Sequence, residues 1–408
     1  MTGVYIMGGS WEGGDSFCPS CGRYVGSYDV CPYCGARVRT RVSLKALAII
    51  ALVISFAGII ALYYAAKHSE PPLVYVEDIT GEMNYARVKM RGYAYTSTIY
   101  DDVQGKLYFR FVDEKWSYNE EFKTYSIMVF VYAPTARELI EQGKAPVSGD
   151  KVEIIGTLKV RDFISIIINE PDDLIIKRDK PKEMSFNDIK ELWDSLEPKD
   201  SLPRIREHIP VKITCWVTYY GDYGTYISGE VKDYSYPGFE IQLYIPGVAM
   251  KGMPDFFLGD KIEIIGNLWE YRGDIEIIPW NGTSIKIVEK LKVTSVNDLY
   301  NNRARYSTEG RIVMVNATIV GKEKVDPYAT LEIWDNESNP PEDDPIYIYI
   351  DESTWSALEE SIRTALSSIG TVVLVIGQFK LYTATGMYEV AVYDPSWILD
   401  VWPAEVEI

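Results

Sequence analysis

The segment Gly149-Asp-Lys-Val-Glu-Ile-Ile-Gly156 recurs as Gly259-Asp-Lys-Ile-Glu-Ile-Ile-Gly266, 110 positions further along the chain. A weaker form, Gly370-Thr-Val-Val-Leu-Val-Ile-Gly377, follows after another 111 positions. Self-similarity at a fixed period indicates a repeat architecture. A period of about 110 residues is too long for a solenoid unit and typical of a small domain. The sequence therefore predicts three copies of one small β-domain between residues 70 and 408.

The second copy shows its strands most clearly. Alternating apolar residues predict a long first strand over 210–220. The same pattern, interrupted by turn residues, predicts four more strands over 225–231, 239–245, 261–269 and 274–280. The connector between the third and fourth strands, 247–258, is short in this copy.

The equivalent connector is predicted to be a helix in the other two copies. In the third copy the helix covers 353–369 with Ser353 as its N-cap, and in the first it covers 135–142 and is closed by Gly143. Further helix starts are predicted ahead of the second and third barrels, at Ser185 and Ser295.

Five strands with a helix between the third and the fourth are the plan of an OB-fold, a partly open Greek-key barrel. The repeated Gly-Asp-Lys element and its alternating apolar residues resemble the fourth strand of OB-folds in nucleic-acid-binding and tRNA-anticodon-type domains. This resemblance covers most of residues 70–400. It implies a fold and no chemistry, because glycines and alternating apolar residues serve only to build a barrel.

Four of the five cysteines lie close together near the N-terminus, in the segments Cys18-Pro-Ser-Cys21-Gly and Cys31-Pro-Tyr-Cys34-Gly. Two such knuckles complete a tetrahedral four-thiolate site, so the sequence predicts a structural Zn²⁺ bound by Cys18, Cys21, Cys31 and Cys34. A redox pair is the alternative, but a lone redox motif would not be duplicated. The segment resembles the short zinc ribbons that precede a membrane helix in many prokaryotic, especially archaeal, proteins. The fifth cysteine, Cys215, is interpreted as a small buried strand residue.

Residues 46–66 form an uncharged apolar run of 21 residues between Lys45 and Lys67. About 20 apolar residues span a bilayer core, which predicts a transmembrane helix with the lipid bilayer as its partner. A cleaved signal peptide is the alternative, and it fits poorly because the run starts so far into the chain. Four basic residues precede the helix, Arg37, Arg39, Arg41 and Lys45, whereas one basic and three acidic residues follow it, Lys67, Glu70, Glu77 and Asp78. The positive-inside rule therefore predicts a cytoplasmic N-terminus and an extracytoplasmic 70–408.

The fold class expected from these patterns is mostly β, with an N-terminal zinc ribbon, one transmembrane helix and three tandem OB-fold barrels. The predicted domains are a ribbon with a basic juxtamembrane segment (1–42), the membrane helix (44–67), and OB-folds 1, 2 and 3 at 70–180, 184–290 and 291–402. Three glycosylation sequons, at Asn281, Asn316 and Asn336, lie in the part predicted to be outside the cell and give weak support to that orientation.

The outer face of the first barrel is predicted to be basic and rich in tyrosine. The period of two along its first two strands directs eight such side chains outward, Arg87, Lys89, Arg91, Tyr93, Tyr95, Lys106, Tyr108 and Arg110. This pattern is typical of a groove for single-stranded nucleic acid or another polyanion. The alternative is a solvated face that is balanced by Glu114, Glu120 and Glu121.

The second barrel is predicted to expose aromatic residues with carboxylates and amides, among them Trp216, Tyr220, Tyr226 and Tyr244. Such a face suits a saccharide or a peptide better than a phosphate chain, and the alternative is packing against a neighbouring repeat. The third barrel offers Trp334, Tyr347, Tyr349 and Asp351. The chain carries a net charge of −18, and most of the acidic excess lies in the second and third copies. These copies would repel a phosphate backbone.

No constellation of residues indicates catalysis. The only histidines are His68 and His208, and the sequence has no P-loop, Ser-His-Asp candidate, HExxH motif or dinucleotide fingerprint. The acidic pairs Asp101-Asp102, Asp172-Asp173 and Asp343-Asp344 lack the ligand count of a calcium loop. The sequence therefore predicts a non-enzymatic, membrane-anchored binding or assembly module that presents three OB-folds to an envelope protein or glycan. The alternative is single-stranded nucleic-acid binding through the first barrel.

Overall fold

The structure is a computed structural model that describes residues 16–26, 28–38, 44–197, 202–236, 238–335 and 345–404. The chain divides into two compact units, Met1–Glu70 and Pro71–Ile408. The finer domain boundaries predicted from the sequence remain predictions. Arg39, Arg41, Asn336 and the pair Asp343-Asp344 lie outside the described residues.

The first unit contains a small hairpin and one long helix. The hairpin pairs β1 (Ser16–Phe17) with β2 (Tyr24–Gly26) in antiparallel orientation, and the helix is α1 (Leu44–His68). Within α1, the 21 residues Lys45–Ala65 are long and apolar enough to cross a membrane, by length and composition alone. The most apolar part of this helix is not buried against any other described part of the structure.

The first barrel of the second unit, called barrel 1, follows the predicted order of strands and helix. Its elements are β3 (Arg87–Ala94), β4 (Ile99–Asp101), β5 (Lys106–Asp113), β6 (Ser126–Tyr132), α2 (Thr135–Glu141), β7 (Lys151–Val160), β8 (Ile164–Ile168) and the edge strand β9 (Leu174–Lys177). The helix between the third and fourth barrel strands confirms the connector predicted over 135–142.

Barrel 2 begins with a short strand and a helix and then repeats the same plan. Its elements are β10 (Lys182–Glu183), α3 (Phe186–Ser195), β11 (Ile209–Asp222), β12 (Tyr226–Lys232), β13 (Glu240–Pro246), β14 (Lys261–Tyr271), β15 (Asp274–Pro279) and β16 (Ile285–Glu289). The five predicted strands are present within two residues of their expected ends. A single 3-10 turn, Gly247–Ala249, begins the short connector.

Barrel 3 contains β17 (Val293–Thr294), α4 (Val296–Asn301), α5 (Arg303–Glu309), β18 (Ile312–Val325), β19 (Ala329–Trp334), β20 (Ile346–Ile350), α6 (Glu352–Ala357), α7 (Glu360–Leu366), β21 (Val372–Tyr382), β22 (Met387–Val392) and β23 (Ile398–Trp402). The single helix predicted over 353–369 is wrong, because the chain forms two short helices there. Leu358 and Glu359 between them have extended backbones, and Leu358 is buried in the barrel core. The N-cap is Asp351, whose carboxylate accepts from the backbone N–H of Thr354, and not Ser353.

All three barrels close in the same way. In barrel 1 the strand order is β3-β5-β6-β8-β7, and β7 returns to pair with β3. The third and fifth barrel strands are parallel and the other pairings are antiparallel. Barrels 2 and 3 repeat this order and these orientations. Three closed five-stranded barrels with this order and an intervening connector resemble the OB-fold.

The repeated sequence element closes each barrel. In barrel 1 the N–H of Gly149 donates to the carbonyl of Ala94 at 2.8 Å, and the N–H of Ala94 donates to the carbonyl of Asp150 at 2.9 Å. The equivalent bonds in barrel 2 link Gly259 and Asp260 to Val217 at 2.7 and 3.0 Å. Gly149 and Gly259 both have a φ of +81°, a conformation that glycine adopts without steric cost.

The aspartate of the element also holds the junction between barrels 1 and 2. Asp150 is fully buried and accepts from the backbone N–H of Val147 at 3.0 Å. Its carboxylate receives two bonds from the Arg178 guanidinium, at 3.0 and 2.6 Å, and one from Nδ2 of Asn267 at 2.9 Å. Since Asn267 belongs to barrel 2, this buried carboxylate joins the two barrels and the linker between them.

Asp260 repeats this arrangement at the junction between barrels 2 and 3. It accepts from the N–H of Phe257 at 2.9 Å, from Nζ of Lys290 at 3.0 Å and from the N–H of Leu291 at 2.8 Å. The hydroxyl of Tyr234 accepts from the N–H of Ile312 at 2.9 Å and so bonds barrel 2 to the first strand of barrel 3.

The second glycine of the element tests the close approach of β7 and β8 in barrel 1. A Cβ added to Gly156 would lie 2.6 Å from the carbonyl oxygen of Ile167 and 2.7 Å from Cγ1 of Ile166. We therefore expect Gly156→Ala to lower the free energy of unfolding of barrel 1 by about 1–3 kcal/mol, because the fourth and fifth strands must move apart. Gly81→Ala is the matched control, since its Cβ would meet only Oε1 of Glu121 at 3.7 Å. Chemical denaturation with hydrogen exchange resolved by barrel measures both, and equal stabilities would contradict the close approach of β7 and β8.

Candidate functional sites

The four N-terminal cysteines converge as the two knuckles predict. Their Sγ atoms all lie within 4.8 Å of one another, with Cys18 and Cys34 at 3.5 Å and Cys21 and Cys31 at 3.6 Å. Four thiolates at Zn–S distances of about 2.3 Å in a tetrahedron are about 3.8 Å apart, so the cluster has the size of such a site. The cluster is compatible with a metal site, and the predicted identity of the metal as zinc remains a prediction.

Each knuckle has the same backbone bonds. The N–H of Cys18 donates to the carbonyl of Arg23 and the N–H of Gly22 to Cys18, both at 2.8 Å, and the second knuckle repeats this pattern within 0.1 Å. Burial opposes ionisation of Cys18, but backbone N–H groups of Cys21 and Ser20 lower the pKa of its thiol. A thiolate at this position favours metal coordination.

The cations on the first strand of barrel 1 are held by carboxylates. Glu153 on β7 accepts from Lys89 at 2.8 Å, from Arg91 at 3.0 Å and from Lys177 at 3.3 Å. These bonds, with that of Lys89 the largest, lower the pKa of Glu153 to about 2. Arg87 pairs with Asp173 at 3.2 Å. The balancing carboxylates are thus Glu153 and Asp173, which the sequence did not place beside this strand.

Tyr93 and Tyr95 lie at the junction of barrels 1 and 2. Both pack against the hydrophobic cluster of barrel 2. The ring centroid of Tyr95 lies 6.0 Å from that of Trp116 and 6.2 Å from that of Trp269, which stack on each other at 6.4 Å. Nε1 of Trp116 donates to the carbonyl of Arg206 at 2.9 Å. These tyrosines therefore contribute to the packing between barrels, and ligand contact by them remains a prediction.

Lys106, Tyr108 and Arg110 are brought together on β5. Tyr108 faces Phe130 across the strand pair with ring centroids 6.3 Å apart, and Phe130 stacks on Tyr132 at 6.4 Å. The Lys106 ammonium lies over the rings of Tyr108 and Phe130, at 5.1 and 5.2 Å. Sequence reasoning missed Phe130 and Tyr132, although alternation along 126–132 could have placed them outward.

Trp216 and Tyr220 on β11 do not form one face. Trp216 packs on Tyr234 at 4.8 Å under the Lys261 ammonium, next to barrel 3. A β-bulge between Val217 and Tyr219 shifts the register of β11 against β12. As a result Tyr219 is 41% exposed, while Tyr220 packs on Phe256 at 5.5 Å and against the barrel core. The predicted outward direction of Tyr220 is wrong, because a bulge inverts the alternation that follows it.

Tyr226 and Tyr244 do lie together and are joined by Tyr223. Tyr223 stacks on Tyr226 with centroids 4.9 Å apart, and Tyr226 lies 5.7 Å from Tyr244. We call these three residues the tyrosine platform. Tyr223 was missed because it lies in the turn after β11, where the alternation of a strand no longer applies.

A row of polar side chains crosses barrel 2 beside the tyrosine platform. Glu230, Gln242 and Glu276 are partners in register on β12, β13 and β15, and Nε2 of Gln242 donates to Oε1 of Glu230 at 3.2 Å. Burial, with a smaller effect from Asp274, raises the pKa of Glu276 to about 7. Near neutral pH this carboxyl can therefore both donate and accept a hydrogen bond.

The candidate residues of barrel 3 are dispersed. Trp334 is 4% exposed and belongs to the core, so its predicted outward direction is wrong. Tyr347 is buried with its hydroxyl 3.4 Å from Glu323, and burial raises its pKa to about 12. Tyr349 lies 5.8 Å from Tyr328, and Asp351 caps α6.

The described sequon asparagines occupy different positions. Asn281 is the N-cap of the 3-10 turn Gly282–Ser284 and accepts from the N–H of Ser284 at 3.0 Å. Asn316 is exposed on β18. Their glycosylation remains a prediction. Among the described residues, the four cysteines form the only cluster of three or more potential metal-binding side chains.

Comparisons with known proteins find similar solved structures but assign the chain to no family. No protein-family model matches the chain, and no curated protein matches it. Among solved structures, it is similar to the tetrameric p202 HIN2, with 12% identity over 44% of this chain and 85% of that one and a TM-score of 0.23. It is also similar to a murine DNA-binding protein bound with double-stranded DNA, with 13% identity over 50% of this chain and 97% of that one and a TM-score of 0.18. A third similarity is to OBody AM1L10 bound to hen egg-white lysozyme, with 25% identity over 20% of this chain and 79% of that one and a TM-score of 0.16. Since all three TM-scores are below 0.5, the fold assignment depends on the strand order and pairing described above.

The cysteine cluster predicts the metal content of the purified protein. Elemental analysis should find about one zinc ion per chain, and Cys18→Ser should lose most of it, because a four-thiolate site needs all its ligands. Cys215→Ser is the matched control, since Cys215 is buried in barrel 2 and should leave the metal content unchanged. Retention of the ion in Cys18→Ser would contradict the assignment.

Proposed function

We propose that this chain is a membrane-anchored, non-enzymatic binding or assembly module that presents its barrels to an envelope protein or glycan outside the cell. The observation that carries this proposal is the outer face of barrel 2. There, the tyrosine platform lies beside Glu230, Gln242 and Glu276. Aromatic rings next to carboxyl and amide groups offer stacking surfaces and directional hydrogen bonds, which suit sugar rings and peptides.

The apolar helix α1 supplies the anchor. Its 21-residue apolar stretch matches the thickness of a bilayer core, and Tyr63 and Tyr64 near its end suit the lipid–water interface. The basic residue Arg37 precedes it and Lys45 lies in its first turn, so the positive-inside rule supports a cytoplasmic N-terminus. Residues after α1 are then extracytoplasmic.

The metal-binding ribbon has a structural or docking role in this proposal. All four coordination positions would be filled by protein thiolates, which leaves no open position for a substrate. The partner of the ribbon on the cytoplasmic side is a separate question from the ligand of the barrels.

The surroundings of the described histidine support a non-enzymatic function. Nδ1 of His208 lies 2.8 Å from the carbonyl of Gly149, and its Nε2 accepts from the N–H of Asp179 at 3.2 Å. Both ring nitrogens are thus engaged in the junction between barrels 1 and 2. An imidazole that is bonded on both sides to the backbone is poorly placed for general acid–base work.

Binding of single-stranded nucleic acid or another polyanion by barrel 1 is the second candidate. It is favoured by the face of β5 and β6, where Lys106 and Arg110 flank Tyr108, Phe130 and Tyr132. Stacking rings beside cations are the usual elements of a single-strand site. The acidic excess of barrels 2 and 3 opposes this function and limits it to barrel 1.

Paired variants distinguish the two candidates. In nanodiscs of neutral lipid, we expect the full chain to retain components of a solubilised cell-envelope fraction. Tyr226→Ala combined with Tyr244→Ala should lose them, since truncation of central aromatic contacts costs about 2 kcal/mol each. Lys106→Gln combined with Arg110→Gln is the control and should retain them.

The opposite pattern would favour the second candidate. A labelled oligothymidine would then bind the wild type at low salt, weaken steeply as salt rises and fail to bind Lys106→Gln/Arg110→Gln. Envelope retention that is equal in all variants would contradict the assignment to barrel 2.

Cysteine labelling in intact cells tests the orientation. Val103 is 91% exposed on barrel 1, so Val103→Cys should react with a membrane-impermeant maleimide from outside. Lys45→Cys, at the predicted cytoplasmic end of α1, should react only after permeabilisation. Labelling of the two variants in the reverse order would place the barrels inside the cell.

A further inference from the structure

A groove of about 810 Å³ lies between barrels 2 and 3. One wall is formed by the end of β11 and the turn that follows it, with Tyr219, Asp222 and Tyr223, and by Glu230 on β12. The other wall comes from barrel 3, with Tyr393, Asp394 and Trp397 after β22. This groove shares Tyr223 and Glu230 with the outer face of barrel 2.

Carboxylates line the groove, and most of them lack a cation. Asp222 accepts from the N–H of Gly224 at 2.7 Å, Glu230 from Gln242, and Asp394 from the N–H and hydroxyl of Ser396 at 2.8 and 2.6 Å. Among the described residues, none of these three carboxylates forms an ion pair with a lysine or arginine. Glu240 is the exception, because it pairs with Lys232.

Carboxylates of barrel 2 and barrel 3 both contribute negative potential at the Tyr219 hydroxyl. The hydroxyls of Tyr219 and Tyr223 are 3.5 Å apart. The pKa of Tyr219 is raised first by this contact and by burial, and then by the charges of Glu230 and Asp394. A positive charge placed here would meet negative potential from both walls.

The aromatic walls suit the same kind of ligand. Tyr219, Tyr223 and Tyr393 are 41%, 54% and 41% exposed, so their rings are accessible. Tyrosine faces attract ammonium and guanidinium groups, and nearby carboxylates strengthen the attraction. Lys380 of barrel 3 bonds to the Tyr393 hydroxyl but is paired with Glu389 at 3.0 Å.

We propose that the groove binds lysine or arginine side chains of a basic segment of a protein partner. This inference rests on the proposed binding function and narrows its ligand from an envelope protein or glycan to a cationic protein segment. Charge complementarity decides the choice, since a neutral saccharide would leave three unpaired carboxylates without compensation. A phosphate chain would be repelled.

A labelled octalysine peptide tests the proposal on the full chain in nanodiscs of neutral lipid. We expect saturable binding that weakens as ionic strength rises. Glu230→Gln and Asp394→Asn should each weaken it about fivefold, as loss of one partly exposed charge pair predicts. Tyr219→Ala should weaken it between about twofold and thirtyfold through the lost cation–π contact. Gln keeps the size of Glu230, and Asn can still cap the turn at Asp394.

Glu138→Gln is the matched control, because it removes one exposed carboxylate from helix α2 of barrel 1 and should leave the affinity unchanged. Equal weakening by Glu138→Gln would reduce the effect to overall charge and overturn the proposal. Displacement of the peptide by a neutral oligosaccharide such as maltoheptaose would overturn it in favour of a glycan, while the proposed function would stand. Envelope retention that depends on Tyr226 and Tyr244 but not on Glu230 or Asp394 would likewise overturn the groove assignment alone.

Discussion

The pairing of the first barrel strand with the fourth is the constraint on which the rest of the structure depends. The Gly-Asp element supplies it, because a left-handed glycine lets two backbone bonds form at the point of closure. The adjacent aspartate then uses its side chain for a second task. Asp150 and Asp260 each bond the backbone three residues earlier and a cation of the following linker. In the third copy Thr371 takes this position, and its hydroxyl donates instead to the carbonyl of Ala365 at 2.8 Å.

Because those carboxylates are buried, the junctions between barrels depend on the bonds that each carboxylate accepts. Asp150 is fully buried and Asp260 nearly so, and a buried charge that loses its partner costs about 3–5 kcal/mol. The barrels of Pro71–Ile408 therefore belong to one compact unit instead of behaving as beads on a flexible linker. One consequence is that a surface can be shared between two barrels, as the groove between barrels 2 and 3 shows.

Much of the fold followed from the sequence, because its signals are local. Period-two alternation located the barrel strands, and the cysteine spacing brought four thiols within 4.8 Å. The contacts of outward side chains were harder to predict from the sequence, because they depend on residues far away along the chain. Arg91 faces Glu153 only through the pairing of β3 with β7, which joins positions 62 residues apart. Tyr220 turned inward because of a single bulge, and the two helices α6 and α7 separate because Leu358 is needed in the core.

The three copies share a backbone but not a surface, and this difference carries the functional argument. In barrel 1, Lys106 and Arg110 lie beside aromatic rings, whereas Lys89 and Arg91 on its first strand are paired with Glu153. Barrel 2 replaces the cations with Glu230, Gln242 and Glu276 beside its tyrosines. The inward residues of the second and third strands belong to the barrel cores, whereas their outward residues can vary without loss of that packing. Function is therefore expected to differ between barrels of the same chain, and each face has to be judged by its own residues.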